Sequence, residues 1–141
     1  MSYLWDTCVL SEVGKPNRDP DVAHYLARIP TQETFISAIT IGEIEFGLAR
    51  LPMGKRRAEL EAVMKAIISE LSSRILPVTS DVARVWGQIT ASGRSRGYNI
   101  EIADGLIAAT AMHHGLPVVT RNVKDFEPTG VRIINPWAGE S

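Results

Sequence analysis

The stretch “TFISAITIGEIEFGLARL”, residues 34–51, changes its periodicity part-way along. Residues 34–40 are mostly apolar or β-branched and few enough for a buried strand, whereas Ile41, Ile44, Leu48 and Leu51 share one face of a helix. A strand running straight into a helix is the repeating unit of α/β folds. The same alternation extends outward in both directions. Upstream, “YLWDTCVLSE” (3–12) reads as a buried strand interrupted by Asp6, and “DPDVAHYLARI” (19–29) is an amphipathic helix with Asp19 as N-cap and Pro20 at its first position. Downstream, a helix over 57–72 carries Leu60, Met64, Ile67 and Leu71 on one side, and “RILPV” (74–78) is a third strand. Ser80 is placed to cap a helix with Val82, Val85, Trp86 and Ile89 on its apolar face, and the glycine-bearing “SGRSRGYN” (92–99) reads as a loop. A helix over 102–114 stops at Gly115 with Pro117 just beyond, and “LPVVT” and “VRII” read as two closing strands. The pattern predicts an α/β fold in which a mostly parallel sheet is covered by helices.

The totals agree with one globular unit. A chain of 141 residues, 45% hydrophobic and 22% charged, with mean hydropathy near zero, has enough apolar material for one core, so a single domain over 1–141 is expected. The lone Cys8 has no partner for an internal disulfide, no signal-peptide pattern opens the chain, and no apolar run reaches the ~20 residues of a membrane span. A cytoplasmic protein with no membrane segment is expected. A formal net charge of −1 provides no global attraction to nucleic acid, so a polyanion would have to be held by local basic groups or through a cation.

In an open α/β sheet ligands bind beyond the C-terminal ends of the strands, and the residues at those ends are acidic. Asp6 closes the first strand, Glu43 follows the second, Asp104 opens the helix before the fourth, and Asn122 and Asp125 follow that strand. They are expected to converge there, and three or four carboxylates held within a few ångströms raise one another's pKa unless a cation offsets them. Oxygen-only ligation, with no Cys/His cluster at zinc spacing, selects Mg²⁺ or Mn²⁺, and such a site suits phosphodiester hydrolysis. Each residue also has a structural reading. Thr40 to Glu43 has the T-x-x-E form of a capping box, Asp104 suits the first turn of any helix, and Asp125 suits a turn in “NVKDFEP”. For Asp6, inside an apolar run, no cap or turn suggests itself, and an unpartnered buried carboxylate costs on the order of several kcal/mol.

Taken together, “YLWDTCVLSE”, “SAITIGEIEFGLARL” and “IADGLIAATAMHHGLPVVTRNVKDFEPTGVRIINPW” resemble the PIN-domain ribonucleases, specifically the VapC toxins of type II toxin–antitoxin pairs, in the FitB-like branch. The resemblance covers nearly the whole chain. It implies a three-layer α/β/α PIN fold and a Mg²⁺- or Mn²⁺-dependent endoribonuclease. It also implies a VapB-type antitoxin partner whose C-terminal segment blocks the site, and a homodimer within a larger toxin–antitoxin assembly. The family's three acidic positions fall on Asp6, Glu43 and Asp104. Its fourth falls on Asn122, with Asp125 nearby as a substitute, and Thr7 and Thr120 match polar positions beside the site. Arg94, Arg96, Arg121 and Lys124, in predicted loops at the same edge, are candidates for holding RNA phosphates.

Other motifs fail. Gly54 and Lys55 echo a phosphate-binding loop, but Arg56 follows where Ser or Thr is needed. Cys8 with His113 or His114 lacks the orienting group of a thiol hydrolase, and Trp5, Trp86 and Trp137 read as core or interface anchors. A phosphoaspartate receiver would carry a D-x-D pair where Asp6 is followed by Thr7 and Cys8. A non-catalytic RNA- or protein-binding module of PIN-like fold is the alternative function, and Asn122 is the feature in its favour.

Overall fold

The computed structural model describes residues 1–138; the last three residues of the expected 1–141 domain lie outside the described residues. Five strands, β1 (Tyr3–Trp5), β2 (Thr34–Ser37), β3 (Ile75–Leu76), β4 (Val118–Val119) and β5 (Ile133–Ile134), form one sheet in the order β3-β2-β1-β4-β5. Every pairing is parallel, with Leu4 opposite both Phe35 and Val118. The helices among the described residues are α1 (Thr7–Val13), α2 (Pro20–Ala27), α3 (Ala38–Ala49), α4 (Lys55–Glu70), α5 (Ser80–Ser95), α6 (Ile102–His113) and the single turn α7 (Val123–Phe126).

Alternation along the strands divides the core between the two faces of the sheet. Leu4 and Val118 pack with Val82, Ile89, Ile107 and Phe126 of α5, α6 and α7. Ile36 packs with Leu10, Ile44, Met64 and Leu71 beneath α1, α3 and α4, and Trp5 joins that side. The result is the predicted three-layer α/β/α arrangement. The α5–α6 pair approaches closely at Gly105, where an added Cβ would lie 3.0 Å from the Trp86 ring. Gly115, at φ +68°, ends the chain's path out of α6 in a conformation that side chains disfavour.

Local differences from the sequence reading follow from capping and packing. The run after Asp6 is not strand but α1, because Val9, Leu10 and Val13 make a helical face on which Val9 and Leu10 are fully buried. β2 ends at Ser37 rather than residue 40, since the Ser37 hydroxyl accepts the Ile39 N–H at 3.0 Å and starts α3 three residues early. Thr79, not Ser80, caps α5 through the Val82 N–H at 3.2 Å. α5 also continues to Ser95 through the predicted loop, because Gly93 is buried against Ile100 and serves close packing rather than helix breaking.

Candidate active site

The strand order reverses between β1 and β4, and this switch opens a crevice beyond their C-terminal ends. Asp6 and Thr120 are the first residues past those two strands, and the Asp6 N–H is still held by the Val119 carbonyl at 3.0 Å. Asp6 is 4% exposed. Contrary to the sequence reading, a cap does account for it. Its Oδ1 accepts the Thr7 N–H at 2.8 Å as the N-cap of α1, while Oδ2 accepts from the Thr120 hydroxyl at 2.8 Å and the Cys8 thiol at 3.4 Å. These donors replace the water lost on burial.

Glu43 comes from inside α3, in its second turn. With Ser37 as the actual N-cap, the capping-box reading of Thr40 and Glu43 is ruled out. Instead Glu43 Oε1 accepts from the Thr7 hydroxyl, and the fully buried Thr40 hydroxyl lies 3.3 Å from that of Thr7. Thr7, matched by resemblance to a polar position facing ligand, is therefore committed to Glu43. Thr40 was missed as a site neighbour; the signal was its position three residues before Glu43, on the same helix face.

Asp104 lies in the first turn of α6 and is half-buried. Burial, followed by the charges of Asp6, Asp125, Glu43 and Glu101, pushes its carboxyl up to about 7. The charges acting on it are thus all carboxylates. Asp125, exposed on α7, is one of them. Asn122 precedes α7; its N–H is held by the Thr120 hydroxyl at 2.9 Å and its side chain makes no cap bond.

Residues 3–129 match the PIN domain as a sequence family. The chain belongs to the PIN-domain family. It is 39% identical over 133 residues to the VapC ribonuclease Y4jK of Sinorhizobium fredii, covering 94% of this chain and 95% of that relative. To the toxin FitB of Neisseria gonorrhoeae it is 37% identical over 135 residues, covering 95% and 97% of the two chains. Among solved structures, a FitAB complex bound to a DNA fragment superposes with a TM-score of 0.89 at 36% identity, covering 96% of this chain and 95% of the other.

Within this PIN domain the acidic residues are electrostatic neighbours rather than a closed ligand cage. Among the described residues no three His, Cys, Asp or Glu side chains approach closely enough to hold one metal ion between them. The expected convergence within a few ångströms is corrected accordingly: Asp6 and Glu43 are drawn toward Thr120, Cys8 and Thr7 by hydrogen bonds. The donor set still fits a hard divalent cation. It is all oxygen, no cation acts on Asp104 among the described residues, and Mg²⁺ ordinarily keeps several waters and takes only one or two carboxylates directly.

The candidate RNA-binding cations separate into two groups. Arg121 and Lys124 leave β4 on the segment beside Asp6, and the Arg121 guanidinium lies 5.9 Å from the Trp137 ring. Arg96 instead donates to the Pro128 carbonyl at 2.7 Å and lies 5.4 Å from the Tyr98 ring, and Arg94 borders a surface hollow with Trp86 and Thr90. Neither is bonded to a residue of the acidic crevice. The Cys8 thiol is raised to about 11 by burial and the Asp6 charge, in line with its exclusion as a nucleophile.

Proposed function

We propose that the chain is the toxin of a type II toxin–antitoxin pair, a cytoplasmic endoribonuclease dependent on Mg²⁺ or Mn²⁺. The observation that carries this is the half-buried Asp104 carboxyl in the first turn of α6, raised by burial and then by the charges of Asp6, Asp125, Glu43 and Glu101, with no cation acting on it among the described residues. Similarity to a VapC ribonuclease supports RNA as the substrate, and similarity to the toxin FitB supports the toxin role.

A bound divalent cation would polarise the scissile phosphate and lower the pKa of an attacking water. Asp6 and Asp104 would hold it, directly or through water. Glu43, oriented by Thr7, completes the shell or accepts the water's proton. Asp125 serves as the fourth carboxylate, because its charge reaches Asp104, and Asn122 ties the loop to Thr120. Arg121 and Lys124 hold phosphates of the RNA.

The antitoxin partner is supported by the FitAB relative. A groove of about 570 Å³ between α1, α3 and α4, with Ile44, Leu48, Leu51, Leu60, Val63 and Met64 among its lining, opens beside Thr7 and Glu43 and is the proposed seat of the antitoxin segment. The toxin is proposed to act as a homodimer that joins the antitoxin in a larger assembly.

The deciding experiment is an RNA cleavage assay with Mg²⁺, Mn²⁺ or EDTA, run beside Asp6→Asn. Asparagine keeps an N-cap acceptor for Thr7, and the Thr120 hydroxyl can turn to accept, so the fold should stand while cleavage is lost. Full activity of Asp6→Asn, or cleavage unaffected by EDTA, would refute the assignment. No cleavage by the wild type under any metal would favour the non-catalytic module.

A further inference from the structure

The Cys8 side chain sits where two parts of the crevice meet. Its Sγ donates to Asp6 Oδ2 at 3.4 Å, accepts the Arg121 N–H at 3.4 Å, and lies 3.6 Å from the Thr120 hydroxyl. The Arg121 contact joins residues 113 apart in sequence, from the first turn of α1 to the segment leaving β4. Around it, Thr120 donates to the same Asp6 oxygen at 2.8 Å and accepts the Asn122 N–H at 2.9 Å.

We propose that Cys8 is a positioning residue for Asp6: its thiol clamps the 120–122 turn onto α1 and fixes which face of the Asp6 carboxylate is turned to the crevice. This role rests on the nuclease reading above. With two donors on Oδ2 and one on Oδ1, the carboxylate has little freedom to rotate, and its one remaining lone pair, on Oδ1, points in a set direction. The same turn leads directly into α7, the helix that carries Asp125. Sulfur is suited to the span. Both principal contacts are at 3.4 Å, a good length for sulfur but beyond the ~3.2 Å reach of ordinary N–H···O bonds, and serine's shorter C–O bond would leave its oxygen farther still.

The test uses the whole chain with Cys8→Ala, Cys8→Ser and Cys8→Asn. Asparagine is larger and more polar than cysteine, yet it supplies both a donor for Asp6 and an acceptor for the Arg121 N–H. Positioning predicts that Cys8→Ala and Cys8→Ser lower kcat on RNA about tenfold and weaken Mn²⁺ binding, measured by calorimetry without RNA, by a similar factor, as is typical of groups that orient metal ligands. KM should hold, and Cys8→Asn should recover both quantities. A role in packing alone predicts the reverse order, with alanine and serine near wild type and asparagine the worst; that order overturns the proposal. Amide hydrogen exchange of Arg121 supplies a readout independent of catalysis and should quicken in Cys8→Ala and slow again in Cys8→Asn. If the wild type cleaves no RNA, the nuclease reading fails, and unchanged Arg121 exchange in Cys8→Ala rejects the clamp separately.

Discussion

Loading the crevice with Mn²⁺ should release protons in an amount set by Asp104. In the metal-free protein burial and the facing carboxylates raise this group from 3.8 to about 7, whereas a metal-bound carboxylate is ionised. With a value of about 7, metal binding should therefore displace roughly 0.9 proton at pH 6, roughly 0.5 at pH 7 and roughly 0.1 at pH 8. Calorimetry in two buffers of different ionisation enthalpy measures that number directly. Apparent Mn²⁺ affinity should fall close to tenfold per pH unit below about 6 and level off above 8. The sign for stability is opposite to that of an ordinary paired carboxylate. The folded value lies above the unfolded one, so the folded metal-free protein binds the extra proton. This contribution to stability is fully present below about 4, is lost as pH rises toward 7, and is flat beyond. Asp104→Asn should remove both the proton release and this part of the pH slope. Release of less than about 0.2 proton at pH 6 in the wild type, or an unchanged value in Asp104→Asn, would show that the carboxylates do not face one another as described.

Thr120→Val preserves shape but removes the bonds at 2.8 and 2.9 Å to Asp6 and Asn122; it should cost roughly 2–4 kcal/mol in urea unfolding, and a loss under about 0.5 kcal/mol would contradict the buried network. Glu12 is buried and accepts the Asp19 N–H at 2.6 Å and Lys15 at 3.1 Å, which together hold its carboxyl below the usual 4.5. Its stabilisation is present above that value and lost as pH falls through the folded one, so the urea midpoint of Glu12→Gln should lie below wild type at pH 7 and converge with it in acid. Neutralising Arg121 and Lys124 should weaken RNA binding and flatten its salt dependence, while neutralising Arg94 should change neither; filter binding across a salt series separates the two outcomes.

The layers were legible because they depend on periodicity. The change of period within residues 34–51, and the repetition of strand then helix on both sides of it, lead to a parallel sheet with helices on each face. Boundaries were less legible because they depend on single hydrogen bonds. β-Branched residues stand on both sides of the boundary, Thr34 and Ile36 before it and Ile39 and Thr40 after it, and the Ser37 hydroxyl reaching the Ile39 N–H marks where β2 stops. Of the acidic set, what the structure supports is one-sided: the charges of Asp6, Asp125 and Glu43 all act on Asp104. Its supports were not legible. Whether Thr7 faces ligand or Glu43 depends on the rotation of α1 against α3, which no local pattern encodes. Arg94 and Arg96 seemed to share one predicted loop; instead α5 continues through Arg94 to Ser95, and Arg96 is bonded to the Pro128 carbonyl.

Asp6 also bears on whether a site can be told from a scaffold. A helix N-cap and a metal ligand make the same demand, an oxygen with lone pairs at the end of a strand, and Asp6 satisfies the first with Oδ1 while keeping that oxygen's second lone pair for the other. The sequence raised these as competing explanations for an acidic residue, yet in this crevice they coexist. The consequence is mechanical. Because the Thr7 N–H and the Thr120 and Cys8 side chains already satisfy the buried carboxylate, the fold does not need a cation to tolerate Asp6; Asp104, half-buried among like charges, is the member that does. Chelation should therefore leave the fold intact and act first on Asp104, through uptake of a proton, so the proposed site would lose a bound metal without losing its shape.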